Sequence, residues 1–346
     1  MSKMIYLGMD VHLNLIAVVW GRAKEKARCL IVDNSPKGWE KLVQAVGPGE
    51  IWGVYEASSC GFEVYDHFTK IGWRMSVVAP THIHKSVLSR KRKTDLRDAK
   101  RLWEVLVSHG ELGTELPAVW IPEERIREER EIVRRRLSLA DHRTRVKNGI
   151  TSLLRMHKLK RPCEMKTAWS QAHVAWLKGL SSDPARGVHL RTALGSLLRE
   201  LEFLDAELAI LQKEVEKLSG EERYRKMVEY MTELDGVGVL TAMTFLVELG
   251  DVRRFRNRRQ VASYLGLVPT SYESGEDDDH KGPITHLGPA RVRKVLNQAA
   301  WTLVRKDAHW KARYGPLAAR RGALKAIVAI MRKLGIELWH RALAAA

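Results

Sequence analysis

Between Pro122 and Gly149 no glycine or proline interrupts the chain. The stretch is dense in Arg and Glu, and its few apolar residues, Ile126, Ile132, Val133, Leu137 and Ala140, form a narrow stripe. Such a segment predicts one long helix over 123–157 with a single apolar seam, too solvated elsewhere to be the core of a domain. It therefore divides the chain into residues 1–122, a coiled-coil-like helical connector over 123–223, and residues 224–346. A second stripe, Leu201, Leu204, Leu208, Leu211, Val215 and Leu218, offers the seam a partner, either in the same chain as a hairpin or in another protomer. Residues 134–160 are strongly basic, so the connector is either a plain spacer or a track along a nucleic-acid backbone, with Arg134, Arg135 and Arg136 as candidate contacts. Residues 162–184, which include Trp169 and Trp176, show no regular period.

The first region alternates short apolar runs with helical ones. Runs 4–10, 15–20, 27–32, 51–55 and 74–78 are strand-like, and a polar turn at 12–14 separates the first two. Residues 37–46 and 62–71 carry helical stripes, the former with Trp39, Leu42, Val43 and Val46 on one face. Three strands followed by alternating helices and strands describe an α/β domain with a mixed sheet. Asp10 closes the first strand and Glu56 the fourth, and sites in open α/β sheets form beyond the carboxyl ends of strands. Further on, Lys91-Arg-Lys-Thr-Asp-Leu-Arg-Asp-Ala-Lys100 holds Asp95 and Asp98 inside a basic run. Ala99, Leu102, Trp103, Val105 and Leu106 follow at helical spacing, so a helix begins near Asp95 with both acids on one face. Two like charges side by side suit a cation such as Mg²⁺ or Mn²⁺ between them; read alone, they equally suit a solvated helix start facing the dipole.

Charge narrows the partners. Lys and Arg total 59 against 41 Asp and Glu, a formal net charge of +18 over 346 residues. A surplus this large seeks polyanions, and nucleic acid is the default. Cys29, Cys60 and Cys163 form neither a zinc pattern nor a disulfide framework, which fits a reducing compartment. No apolar run is long enough to span a membrane and the N-terminus lacks a signal pattern, so an intracellular, membrane-free protein is expected.

The last region opens on Leu234-Asp-Gly-Val-Gly-Val-Leu-Thr-Ala242, a tight turn into an apolar helix. Gly236 and Gly238 would let the backbone approach a phosphate, as helix-hairpin-helix modules do, with Arg253 and Arg254 among the arginines that follow. The same pattern also serves as an ordinary helix–turn–helix packing element. Residues 262–275 read as a helix end followed by a polar loop, where a serine before glycine is by itself a turn residue.

The segments Gly-Met-Asp-Val-His (8–12), Tyr-Glu-Ala-Ser (55–58) and Lys-Thr-Asp-Leu-Arg-Asp-Ala (93–99) resemble the DEDD signature of a RuvC/RNase H-like transposase. The chain as a whole resembles the insertion-sequence-110 family, whose transposases are RNA-guided DNA recombinases. The resemblance implies a RuvC/RNase H-like N-terminal domain and a mainly α C-terminal domain bearing a catalytic serine. It implies that Asp10, Glu56, Asp95 and Asp98 hold divalent metal, Mg²⁺ or Mn²⁺. Segments 234–250, 264–275 and 282–285 resemble the family's second domain, in which the serine before glycine attacks DNA phosphate; the matching position is Ser274, with Ser271 a competitor in the same loop. Implied partners are double-stranded donor and target DNA, a structured non-coding bridge RNA as guide, and further copies of the chain, from dimer to a tetramer of paired dimers. The implied location is a bacterial or archaeal cytoplasm, at the nucleoid.

The chain departs from the family pattern in one stretch. Glu276-Asp-Asp-Asp279 and Gly288-Pro289 stand where basic residues and Gly-Asn are usual. An acidic run beside such a serine repels DNA unless it faces away or binds a metal. Two other readings follow from the same residues: a RuvC-like junction resolvase or nuclease that uses water, and a non-enzymatic nucleic-acid scaffold.

Overall fold

β1 (Ile5–Val11) and β2 (Leu15–Gly21) are apolar at nearly every position, a pattern that demands cover on both faces of a sheet. The computed structural model supplies that cover. It describes residues 3–79, 94–274 and 277–346, with backbone alone for 271–274 and 277–281, and divides into two units, residues 1–121 and 122–346.

In the first unit the sheet order is β3-β2-β1-β4-β5. β1, β2 and β3 (Arg28–Asp33) are antiparallel neighbours, whereas β4 (Ile51–Glu56) and β5 (Arg74–Val78) extend the sheet in parallel from β1. α1 (Pro36–Val46) and α2 (Glu63–Lys70) cover one face, burying Trp39, Leu42 and Phe68 against Leu7, Met9 and Tyr55. α1 starts where the sequence permits it: the Ser35 hydroxyl accepts from the Gly38 amide at 3.3 Å, and Pro36 needs no donor in the first turn. The edge of β5 is closed by the returning chain, through a bridge from Val78 to Ala118 and the Val119 amide donating to Val77.

α3 (Asp95–Leu112) covers the opposite face, over Tyr6, Trp52, Val54 and Val78. It lies unusually close to the sheet. A Cβ placed on Gly8 would sit 2.1 Å from the Ala99 carbonyl oxygen and 2.2 Å from the Trp103 nitrogen. Ala17 and Ala99 continue the same close seam. Only a residue without a side chain lets backbone meet backbone at Gly8.

In the second unit α4 (Glu124–Met156) and α6 (Val188–Ser219) pair within the chain as a hairpin around Leu139, Val146, Ile150, Leu194, Leu201 and Leu208. Arg143 meets Asp205 at 2.6 Å and Arg136 meets Gln212 at 3.2 Å, pairings that run in opposite sequence directions and so make the helices antiparallel. Residues 162–184, without a period in the sequence, contain α5 (Gln171–Ser182), whose first turn is capped by Ser170 and which packs Leu177 into the same core.

The other ends of α4 and α6 enter a larger core through Val133, Leu137, Val215 and Leu218. That core is built by α7 (Glu222–Thr232), α8 (Val239–Leu249), α9 (Arg258–Tyr264), α10 (Ala290–Lys306), α11 (Ala308–Arg321) and α12 (Ala323–Ala345). Where the sequence reads as a polar loop, the chain forms a hairpin of β6 (Pro269–Ser274) and β7 (Asp277–Ile284). No described helix is long and apolar enough to cross a membrane.

Candidate active site

Strand alternation sends Tyr6, Gly8 and Asp10 to the face beneath α3, and Leu7, Met9 and Val11 to the other. β4 runs parallel to β1 with Tyr55 beside Met9, and its Trp52 and Val54 also face α3. Asp10 and Glu56 therefore leave adjacent strand ends on that one face. The contact at Gly8 fixes Ala99 above the sheet, and Asp95 is one helical turn earlier on the same side. Asp95 and Asp98 occupy the first turn of α3, where the helix dipole favours negative charge.

The structure brings Asp10, Asp95 and a third side chain, His12, together. Their ligand atoms lie within 4.8 Å of one another, with His12 Nε2 at 3.2 Å from Asp10 Oδ2 and 3.6 Å from Asp95 Oδ1. Burial pushes the Asp10 carboxyl above its ordinary pKa; His12 opposes the shift, and the charges of Asp98 and Asp95 reinforce it. A divalent cation fits this donor set, because hard carboxylate oxygens suit it and its charge would relieve the repulsion that Asp10 feels from both α3 acids. Asp10 and Asp95 could hold it; Glu56, at the neighbouring strand end, and Asp98, in the same first turn of α3, are not among the three residues whose ligand atoms come together.

Ser274 is the last residue of β6 and pairs with Asp277, the first of β7, so its backbone stands at the tip of the hairpin. Ser271 lies lower, opposite Lys281. The Ser274 and Ser271 side chains lie outside the described residues, as do Gly275 and Glu276; Asp277–Asp279 begin β7. The root of the hairpin is described in full. Arg293 Nη1 donates to the carbonyls of Leu265, Leu287 and Gly288 at 3.1–3.2 Å, and Nη2 donates to His286 at 3.0 Å. Gly266 and Gly288, both at positive φ, press against the opposite strand of chain: a Cβ on either would meet a carbonyl oxygen at 1.9 Å. Together they tie the hairpin's two legs to the start of α10.

The structure takes three of the predicted nucleic-acid contacts inward. Arg134 donates from Nε and Nη2 to the two oxygens of Glu248 at 2.8 and 2.9 Å, and Glu248 is only 4% exposed. Arg136 bonds Gln212 across the α4–α6 pair. Arg254 lies over the rings of Phe255 and Tyr264, at 4.1 and 4.5 Å from their centroids, and donates to the Leu249 carbonyl. Arg135 and Arg253 are exposed. The two turn glycines also part ways. Gly236 at positive φ packs against Ala299 and Thr302 of α10, whereas Gly238 caps α8 with open space at its Cα.

Two residues of consequence escaped the sequence reading. His12 had a usable signal, since continuing the alternation of β1 two residues past Asp10 gives the same face. Arg293 had none, because all its partners are backbone carbonyls that carry no residue code.

A family model described as a transposase, of the DEDD type found in insertion-sequence-110 elements, matches residues 7–158. A second, described as the IS116/IS110/IS902 transposase family, matches residues 228–315. The first spans the sheet and its acids, the second the hairpin and its root, and the class they define is a transposase, an enzyme acting on DNA whose DEDD site implies divalent metal. A Sinorhizobium fredii protein assigned by name to the transposases (y4qE) is 29% identical over 303 residues, covering 86% of this chain and 71% of its own. The transposase for insertion sequence element IS1533 of Leptospira borgpetersenii is 24% identical over 305 residues, 87% and 86% of the two chains. That for IS1111A of Coxiella burnetii is 25% identical over 298 residues, 83% and 76%. The chain belongs to the IS116/IS110/IS902 family of insertion-sequence transposases.

Proposed function

We propose that this transposase cuts and rejoins DNA through a phosphoserine link at Ser274, with a DEDD metal site carried by a RuvC/RNase H-like sheet. The observation that supports it best is the convergence of Asp10 and Asp95 at the carboxyl end of the sheet, with Glu56 and Asp98 aligned to it by register and helical turn. A bound Mg²⁺ or Mn²⁺ would polarise the scissile phosphate and stabilise charge developing on its oxygens. The four carboxylates would hold and orient that cation. The serine Oγ forms a bond to phosphorus as the bond to the leaving deoxyribose oxygen breaks; the serine loses its proton and the leaving oxygen gains one. One phosphoester replaces another, so a second DNA hydroxyl can reverse the step and join new strands. Residues 1–122 supply the acids, 123–223 the connector and 224–346 the serine, and several copies of the chain, up to a tetramer, share the work. Sequence choice falls to a structured guide RNA, with the protein gripping backbone through its surplus of positive charge in the cytoplasm.

The decisive experiment traps the reaction on nicked suicide DNA, denatures it and looks for protein carrying covalent DNA. Wild type forms the adduct, and Ser274→Ala forms none while still binding nucleic acid. An adduct that survives Ser274→Ala but vanishes in Ser271→Ala moves the nucleophile upstream. Metal-dependent cleavage without adduct in any variant makes the enzyme a hydrolase.

Grip on the backbone has its own test. Removing Arg135 and Arg253 together lowers the slope of log affinity against log salt by up to about two, roughly one per lost phosphate contact. Arg134→Ala acts differently: it leaves Glu248 buried and unpaired and costs ~3 kcal/mol or more of stability by denaturant melting. An unchanged salt slope in the Arg135/Arg253 double variant shows that these faces do not meet nucleic acid.

A further inference from the structure

We propose that His12 is a direct ligand of the cation held by Asp10 and Asp95, and that its nitrogen tilts the site toward Mn²⁺ over Mg²⁺. The inference rests on the metal-site reading above and adds a donor that the four-acid signature does not contain. Around an octahedral ion with bonds of about 2.1 Å, adjacent ligand atoms sit about 3.0 Å apart and opposite ones about 4.2 Å. His12 Nε2 is 3.2 Å from one carboxylate oxygen and 3.6 Å from another, on two different elements. All three ligand atoms lie within 4.8 Å of one another, so one cation can take them after small side-chain movements.

The position of His12 is built. Its amide donates to the Leu15 carbonyl at 2.9 Å, and its own carbonyl accepts from Asn34 Nδ2 at 2.8 Å. Asn34 is held in turn by Trp39, whose indole Nε1 donates to Asn34 Oδ1 at 2.9 Å, and Trp39 is 4% exposed in the core. A relay of two side-chain hydrogen bonds thus ties the β1–β2 turn to α1 and fixes the backbone from which the imidazole reaches the two carboxylates. The donor chemistry sets the preference. Mg²⁺ takes oxygen ligands and keeps its waters, whereas imidazole suits transition-metal dications. Substituting nitrogen for an oxygen donor penalises Mg²⁺ more.

The test uses the full-length protein loaded with Mn²⁺ and reads nitrogen-14 modulation in pulsed electron paramagnetic resonance, with Mn²⁺ and Mg²⁺ affinities by titration calorimetry. Wild type shows a directly bound nitrogen. His12→Gln loses that signal, loses about tenfold or more in Mn²⁺ affinity, and keeps Mg²⁺ affinity within about twofold. His12→Asp restores tight binding with an oxygen donor and reverses the preference toward Mg²⁺, which guards against a variant that simply misfolds. Mn²⁺ bound without nitrogen modulation in wild type overturns the proposal and leaves the carboxylate site standing, with His12 only hydrogen-bonding Asp10. A modulation that persists in His12→Gln assigns the nitrogen elsewhere and equally overturns it. If neither ion binds wild type, the metal-site reading fails with it.

Discussion

Asp95→Asn is expected to lower DNA strand cleavage about a thousandfold or more, roughly 4 kcal/mol of lost transition-state stabilisation, with nucleic-acid binding largely kept. The substitution keeps shape and removes one negative charge from the proposed metal site. Its effect on stability has the opposite sign. Burial first, and then the charges of Asp98 and Asp95, push the Asp10 pKa up against the opposing pull of His12. A carboxyl whose folded pKa is raised disfavours the fold once pH climbs above its ordinary range, so neutralising a neighbour stabilises the metal-free protein. Thermal melting in chelator should place Asp95→Asn above wild type, and added Mg²⁺ should raise wild type far more than the variant. An Asp95→Asn protein that cleaves normally removes this residue from the site.

Gly8→Ala should cost at least ~3 kcal/mol, because the added carbon has no flexible side chain to displace. It meets backbone atoms of α3 at 2.1 and 2.2 Å, and only retreat of the helix makes room. That retreat would also carry Asp95 and Asp98 away from Asp10, so cleavage should fall in whatever protein remains folded. The comparison is Gly61→Ala, at a loop glycine with open space around it; its positive φ adds strain, but it leaves the packing of α3 untouched. Denaturant melts of the two variants separate loss of packing from backbone strain. A Gly8→Ala protein as stable as wild type would mean that α3 does not lie this close.

Much of the first unit could be read from the sequence because its strands are covered on both faces. A continuous apolar run such as Leu15–Gly21 has few other ways to be buried. The start of α3 at Asp95 was legible for a related reason, since Ala99, Leu102 and Leu106 announce one buried helix face. The hairpin of β6 and β7 was not, because a two-stranded ribbon with Thr-Ser-Tyr-Glu-Ser on one leg and three aspartates on the other shows no apolar alternation. The arginines failed for a different reason. Composition counts a guanidinium as surface charge, and nothing near Arg134 in sequence tells that Glu248 is waiting for it in the core of α8. His12 was hidden by its company in a polar turn, although its place two residues beyond Asp10 held the information.

The packing of α3 on β1 also says when the site can exist. Tyr6 donates to Glu111 across a sequence separation of 105 residues, and the same long loop must close before Asp95 stands beside Asp10. Contacts this distant in sequence are made late, since their closure entropy is met only when much of the sheet is already in place. Until then the acids are dispersed along the chain and do not repel one another. On the proposed metal-site reading, a chain still emerging from the ribosome has no assembled centre, and the capacity to cut DNA arrives only with the completed domain.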